Sequence, residues 1–125
     1  MNKYLRILVV DDSAAIRRIV IDTLRELGLK NTLEAENGAA GWEVLQKQTV
    51  DLVLCDIRMP VMSGLELLDL VRKDKKFHAL PFIMITAEAE REIILEAVKL
   101  GVSGYVIKPF NAPTLRDKIL RVMKQ

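Results

Sequence analysis

Five polar residues of this 125-residue sequence stand where chemistry would need them, at the ends of short aliphatic runs. They are Asp11, Asp12, Asp56, Thr86 and Lys108. Carboxylates that are brought together repel one another unless a cation lies among them. A hard divalent cation such as Mg²⁺ removes that repulsion, and it also coordinates phosphate oxygens. The residue types therefore predict Mg²⁺-dependent phosphoryl chemistry.

The same five residues can be assigned parts in phosphoryl transfer. Once the metal offsets the charge of both partners, a carboxylate oxygen can attack phosphorus. Lys108 supplies a positive point charge to the transferring group, and the Thr86 hydroxyl can donate to another of its oxygens. A cis bond before Pro109 is a hypothesis for what aims Lys108. A single Asp at a strand end is more often a helix cap, so the prediction depends on the whole set.

The elements that must position these residues can be recognised from hydrophobic patterns. Short aliphatic runs, too short for helices, predict strands buried on both faces of a parallel sheet. These runs are Ile7 to Val10, the weaker Thr32 to Ala35, Leu52 to Cys55, Phe82 to Ile85, and Tyr105 to Ile107.

Helix-period segments separate the strands. The first has an apolar stripe of Ile16, Ile19, Val20, Leu24 and Leu27, with Ser13 as its N-cap and Gly28 at its exit. The fourth has Ile94, Ala97 and Val98, and the fifth has Pro113 in its first turn. Strand and helix alternate five times, which predicts a parallel sheet covered by helices on both faces. Ligands of such sheets bind at the carboxyl ends of the strands.

Composition restricts the class of protein. Half of the residues are apolar, and the formal net charge is only +2. Without a basic block interleaved with aromatics, we expect no direct binding of nucleic acid. Cys55 is the only cysteine, which excludes an internal disulfide and favours a reducing cytoplasm. No run approaches the roughly 20 apolar residues of a membrane span. We predict one cytoplasmic domain over residues 1–125.

Five stretches of the sequence together form a highly specific signature of one protein family. They are Leu8–Ser13, Asp56–Pro60, Ser63–Leu68, Thr86–Ala89 and Gly104–Phe110. Through them the sequence resembles the response-regulator receiver family over essentially its whole length, and within it the stand-alone chemotaxis regulators. The resemblance implies a flavodoxin-like, doubly wound α/β fold with five parallel strands in the order 2-1-3-4-5 and five helices. That strand order comes from the family and not from the sequence pattern.

The resemblance also assigns roles. Asp56 would accept phosphate from a histidine kinase or a histidine phosphotransfer protein. The Mg²⁺ would be held by Asp11, Asp12, Asp56 and the backbone carbonyl of Arg58, with Asp11 acting largely through water. Lys108 and Thr86 would contact the phosphoryl oxygens. Thr86 would then move, Tyr105 would turn inward, and the face formed by the fourth helix, fifth strand and fifth helix would change for a downstream protein.

Two residues, Arg58 and Glu90, depart from the chemotaxis pattern. Arg58 stands where the flagellar-type regulators carry Asn, and Glu88 should lie across the pocket mouth from it. We predict that Arg58 and Glu88 form an ion pair that hinders the attacking water and prolongs the phosphorylated state. Glu90 replaces a lysine that helps to contact the flagellar switch, although Tyr105 and Lys118 match. The flagellar motor is therefore one possible target and not an implied one.

Other functions remain open at this point. A haloacid-dehalogenase-type phosphatase also uses Asp and Mg²⁺, but Asp11-Asp12-Ser13-Ala14 lacks the second Asp of its D-x-D-x-T motif. A flavin or dinucleotide carrier would need a glycine-rich loop after the first strand. The chain could also be an interaction module that is never phosphorylated, or a fragment of a larger response regulator. Among single residues, Gly64 is predicted to allow a backbone conformation that other residues would resist, and Cys55 is predicted to be an apolar filler.

Overall fold

The computed structural model describes residues 1–124, in which five strands alternate with five helices. Gln125, the last residue of the predicted domain, lies outside the described part. The strands are β1 (Arg6–Val10), β2 (Asn31–Ala35), β3 (Leu52–Cys55), β4 (Phe82–Thr86) and β5 (Gly104–Ile107). The helices are α1 (Ala14–Glu26), α2 (Gly38–Lys47), α3 (Gly64–Lys73), α4 (Arg91–Lys99) and α5 (Ala112–Met123).

The strands form one parallel sheet in the order β2-β1-β3-β4-β5. The predicted fold class and strand order are thereby confirmed. In the register, Val10 lies between Ala35 and Cys55, so β1 and β3 end level with each other. Asp11 and Asp56 therefore leave the sheet side by side.

The core has two layers, because successive side chains of a strand point to opposite faces of the sheet. Ile7 and Val9 lie in the layer beneath α1 and α5, whereas Leu8 and Val10 face α2 and α3. All four side chains are buried. This packing against two helical layers holds the carboxyl ends of the strands rigidly in place.

Three details of burial differ from the predicted pattern. Ile107, in the predicted doubly buried fifth strand, is 39% exposed because β5 is an edge strand. Ile19, predicted to face the core, is 53% exposed, and Ile21 is buried on α1 instead. Val98 is 58% exposed because α4 buries only Ala97 fully. Apolar residues at helical spacing show which side of a helix faces the core, but not how much of that side the neighbouring elements cover.

Helix α1 begins and ends at its predicted capping residues. The Ser13 hydroxyl accepts a hydrogen bond from the amide of Ile16 at the start of α1. Gly28 follows that helix with a φ of 84°, in the left-handed region. Ser63 and Glu66 form a reciprocal capping box at the start of α3. No helix within residues 1–124 is long and apolar enough to cross a membrane.

Candidate functional site

Three carboxylates converge at the carboxyl edge of the sheet. One oxygen each of Asp11, Asp12 and Asp56 lies within 4.8 Å of the others. Asp11 is buried, Asp56 is partly buried and Asp12 is exposed, so the cluster is open to solvent on one side. Three hard oxygen donors at this spacing suit a small divalent cation.

Asp11 is held through all its polar atoms. Its amide donates to the carbonyl of Ala35 at 3.1 Å, and its carbonyl accepts from a guanidinium nitrogen of Arg17 at 2.6 Å. Its Oδ1 accepts from the amide of Ser13 at 2.9 Å, and its Oδ2 accepts from Lys108 Nζ at 2.9 Å. A carboxylate so fully engaged is a fixed part of the site.

The two carboxylate oxygens of Asp56 have different surroundings. Oδ1 accepts a hydrogen bond from the amide of Ile57 at 2.8 Å. Oδ2 lies 3.6 Å from Lys108 Nζ. The backbone of Asp56 is itself tied to the sheet, because its amide donates to the carbonyl of Val10 at 2.9 Å. The side chain is thus oriented by backbone groups, and Oδ2 faces the lysine.

Lys108 carries the positive charge of the site. Its side chain is 18% exposed and lies between Asp11 and Asp56. Its amide donates to the carbonyl of Thr86 at 2.9 Å, which continues the pairing of β5 with β4. The Lys108–Pro109 peptide bond is cis, as hypothesised.

Thr86 and Tyr105 meet at the loop between β4 and α4. Thr86 is buried at the end of β4, and its hydroxyl accepts from the amide of Glu88 at 3.3 Å. The hydroxyl of Tyr105 donates to the carbonyl of Glu88 at 2.7 Å. Burial raises the pKa of this phenol, and the carboxylates of Glu88 and Asp56 raise it further. Both predicted switch residues therefore contact the backbone of the same residue, Glu88.

Arg58 and Glu88 form the predicted ion pair. The side chain of Arg58 is 71% exposed, whereas that of Glu88 is 17% exposed. The hydrogen bond from Arg58 Nε to the carboxylate raises the pKa of the arginine. The pair bridges the loop after β3, which begins with Asp56, and the loop after β4.

The loop between β3 and α3 corrects one expectation. Gly64 is outside the left-handed region, so its φ is not what other residues would resist. Glycine is needed there because a Cβ would overlap the carbonyl oxygen of Asp56. The left-handed residue of this loop is Val61, with a φ of 69°. The close approach of α3 to the backbone of Asp56 is a tertiary feature that loop composition does not reveal.

Cys55 and Arg17 also lie next to the acidic residues. Cys55 is fully buried, and desolvation raises the pKa of its thiol well above the usual range, with Asp56 and Asp11 adding to the effect. Its predicted role as an apolar filler agrees with that burial. Arg17 also contacts the site, and the sequence did not reveal this because an arginine outside the apolar stripe of α1 gives no sign of a partner.

Comparison with known proteins agrees with this geometry. Residues 7–120 match the model of the response regulator receiver domain. The chain is 46% identical over 125 residues to the chemotaxis protein CheY-3 of Vibrio cholerae, covering 100% of this chain and 96% of that protein. It is 43% identical over 121 residues to the chemotaxis protein CheY of Pseudomonas aeruginosa, covering 97% of this chain and 98% of that protein.

A solved structure is similar in fold and in sequence. The chemotaxis response regulator CheY4 of Vibrio cholerae superposes with a TM-score of 0.86 at 34% identity, covering 95% of this chain and 98% of that one. The phosphatase and dinucleotide-carrier alternatives are not favoured by these matches. The chain belongs to the response regulator receiver domain family, whose members are signalling proteins of two-component systems.

Proposed function

We propose that Asp56 accepts a phosphoryl group from the phosphohistidine of a histidine kinase or histidine phosphotransfer protein. The observation that carries the proposal is the convergence of Asp11, Asp12 and Asp56 within 4.8 Å, beside Lys108. A structural role alone would not require three carboxylates at one sheet edge, because their mutual repulsion destabilises the fold.

Asp56 Oδ2 is the proposed nucleophile. Oδ1 is already engaged by the amide of Ile57, whereas Oδ2 faces Lys108 at 3.6 Å. In the transfer, a bond forms from Oδ2 to phosphorus, the phosphorus–nitrogen bond of phosphohistidine breaks, and the imidazole leaves with the electron pair. Lys108 would hold a phosphoryl oxygen electrostatically, and the Thr86 hydroxyl would donate to another.

The acidic cluster fits Mg²⁺. Asp12 and Asp56 would hold the ion directly together with the backbone carbonyl of Arg58, and Asp11 would act largely through water. When bound, Mg²⁺ would neutralise the charge of the carboxylates and of the incoming phosphoryl oxygens. Asp12 is the exposed member of the cluster, which suits a ligand that must exchange a metal with solvent.

We propose that the Thr86–Tyr105 pair transmits the phosphorylated state. A phosphoryl group on Asp56 would compete for the Thr86 hydroxyl, which now accepts from the amide of Glu88. Because Tyr105 is bonded to the carbonyl of the same residue, movement of this loop would alter its position. The face of α4, β5 and α5 would then present a different surface to a downstream protein.

The Arg58–Glu88 pair is proposed to slow hydrolysis of the phosphorylated state. The pair bridges the two loops beside Asp56, so it would restrict the approach of an attacking water in line with the phosphorus. Dephosphorylation of Arg58→Asn and of Glu88→Ala should be faster than that of the wild type. Unchanged rates in both variants would contradict this part of the proposal.

The pathway is proposed from the relatives, two of which are named chemotaxis proteins. The chain would act in chemotaxis or in a related two-component phosphorelay. Glu90 is exposed at the start of α4, and its negative charge distinguishes the output surface from one with lysine. We also propose that residues 1–125 form one receiver domain, which is supported by the single sheet that joins all five described strands.

The deciding experiment is incubation with acetyl phosphate and Mg²⁺, followed by intact mass measurement. The wild type should gain one phosphoryl group, and Asp56→Asn should gain none. Asp69→Asn is a matched control, because Asp69 lies on α3 and its one ion pair within residues 1–124 is with Lys73. Absence of an adduct on the folded wild type under saturating donor would refute the proposal.

A further inference from the structure

Arg17 connects three elements around the acidic cluster. It lies on α1, and its side chain is 16% exposed, which is low for an arginine. Its Nη1 donates to the backbone carbonyl of Asp11 at 2.6 Å, and its Nε donates to Glu34 Oε1 on β2 at 2.8 Å. The planar guanidinium fork can hold two such acceptors in fixed directions at once.

The contact with Asp11 acts on Asp12. The carbonyl of Asp11 and the amide of Asp12 belong to one rigid peptide plane, so a donor that fixes the carbonyl also fixes the start of residue 12. Asp12 is the exposed carboxylate of the cluster, and its side chain accepts no hydrogen bond from any other described residue. Its direction therefore depends on the backbone that carries it.

The charge of Arg17 does not explain its place. A cation beside a divalent metal site weakens that site by repulsion. Glu34 pairs with the guanidinium, which offsets this effect while leaving Nη1 directed at the Asp11 carbonyl. The neighbouring Arg18 is 76% exposed, and its nearest carboxylate is that of Asp22 at 4.0 Å. Two adjacent arginines thus differ in whether they touch the site.

We infer that Arg17 is a positioning residue for divalent cation binding: it holds the Asp11–Asp12 peptide so that Asp12 points into the cluster, and Glu34 holds Arg17. The inference rests on the proposed metal site. Groups that orient metal ligands in this way typically change affinity by about tenfold or more when they are removed.

The test is isothermal titration calorimetry with MgCl₂ on the full chain in the absence of phosphodonor. Arg17→Gln should weaken Mg²⁺ binding by about tenfold. Arg18→Gln removes the same charge without touching Asp11, and its affinity should stay within about twofold of the wild type. The direction of the change in Mg²⁺ affinity distinguishes positioning from charge, because removal of the positive charge alone would make Arg17→Gln bind Mg²⁺ more tightly.

The outcomes separate this inference from the proposed function. If the wild type binds no Mg²⁺, the proposed metal site itself is wrong, and the inference falls with it. If the wild type binds and folded Arg17→Gln binds equally or more tightly, only the inference is overturned. If Arg17→Gln does not fold, Arg17→Met, which keeps an unbranched apolar stem, carries the same test. Unfolding of both would assign Arg17 to stability and would also overturn the inference.

Discussion

Neutralising Asp12 should stabilise the metal-free protein. Its carboxylate lies within 4.8 Å of those of Asp11 and Asp56. At that separation two unit charges repel by about 0.9 kcal/mol in water and about 3.5 kcal/mol at an effective dielectric constant of 20. Lys108, at 2.9 Å, offsets the charge of Asp11, so Asp12 faces about one uncompensated negative charge.

The exposure of Asp12 selects the lower end of that range. We expect Asp12→Asn to raise the free energy of unfolding by about 1 kcal/mol in EDTA at low salt. For a domain of this size that corresponds to an increase in Tm of about 4 °C. Mg²⁺ should reverse the order, because a ligand at 100 times its Kd stabilises the native state by about 2.7 kcal/mol. Only the wild type should keep most of that gain.

Thermal unfolding followed by circular dichroism, in EDTA and in saturating MgCl₂, measures both effects. Glu96→Gln is the control, because Glu96 is an exposed acid of α4 with no ion pair among residues 1–124. The reasoning is refuted if Asp12→Asn is no more stable than the wild type in EDTA. It is also refuted if Mg²⁺ stabilises wild type and Asp12→Asn equally.

Three further predictions follow from single contacts. Burial raises the pKa of the Tyr105 phenol in the folded state. The stability that the neutral phenol contributes should therefore be lost as pH rises above about 10. Urea unfolding at several pH values should show this loss in the wild type and a smaller loss in Tyr105→Phe. Gly64→Ala should lower the free energy of unfolding by about 2–3 kcal/mol, because the new Cβ meets the backbone of Asp56. Urea unfolding measures this cost, and an unchanged free energy of unfolding would contradict the close approach. Arg72→Met should cost about 2 kcal/mol, since the Arg72 guanidinium donates to several acceptors, including the Gly101 carbonyl at 2.8 Å; an unchanged urea midpoint would contradict it.

Sequence alone was enough for the fold class and for grouping the acidic residues that meet at one edge of the sheet. Strand-length aliphatic runs alternating with helix-period segments indicate a parallel sheet, and the polar residues after those runs must then share one edge. Asp11, Asp56 and Lys108 could be grouped in this way because each is adjacent in sequence to the strand that positions it. The strand order needed the family resemblance, since periodicity carries no information on which strands are neighbours.

Burial at the edges required the tertiary structure. Ile19, Val98 and Ile107 have apolar side chains in apolar patterns, yet all three are exposed. Their exposure depends on which neighbours cover them, and helix spacing or strand alternation does not contain that information. The same limit explains Gly64, whose constraint is the nearby backbone of Asp56 and not its own φ.

Arg17 shows the difference between what the sequence determines and what only the tertiary structure decides. The sequence determined that Asp11, Asp12 and Asp56 would meet, because all three lie within two residues of the end of their strands. Only the tertiary structure decided that Arg17, with Glu34 on β2, would hold the peptide between Asp11 and Asp12. That contact depends on β2 lying beside β1 and on the direction in which α1 leaves the sheet. These are relations between elements, and local residue preferences do not encode them.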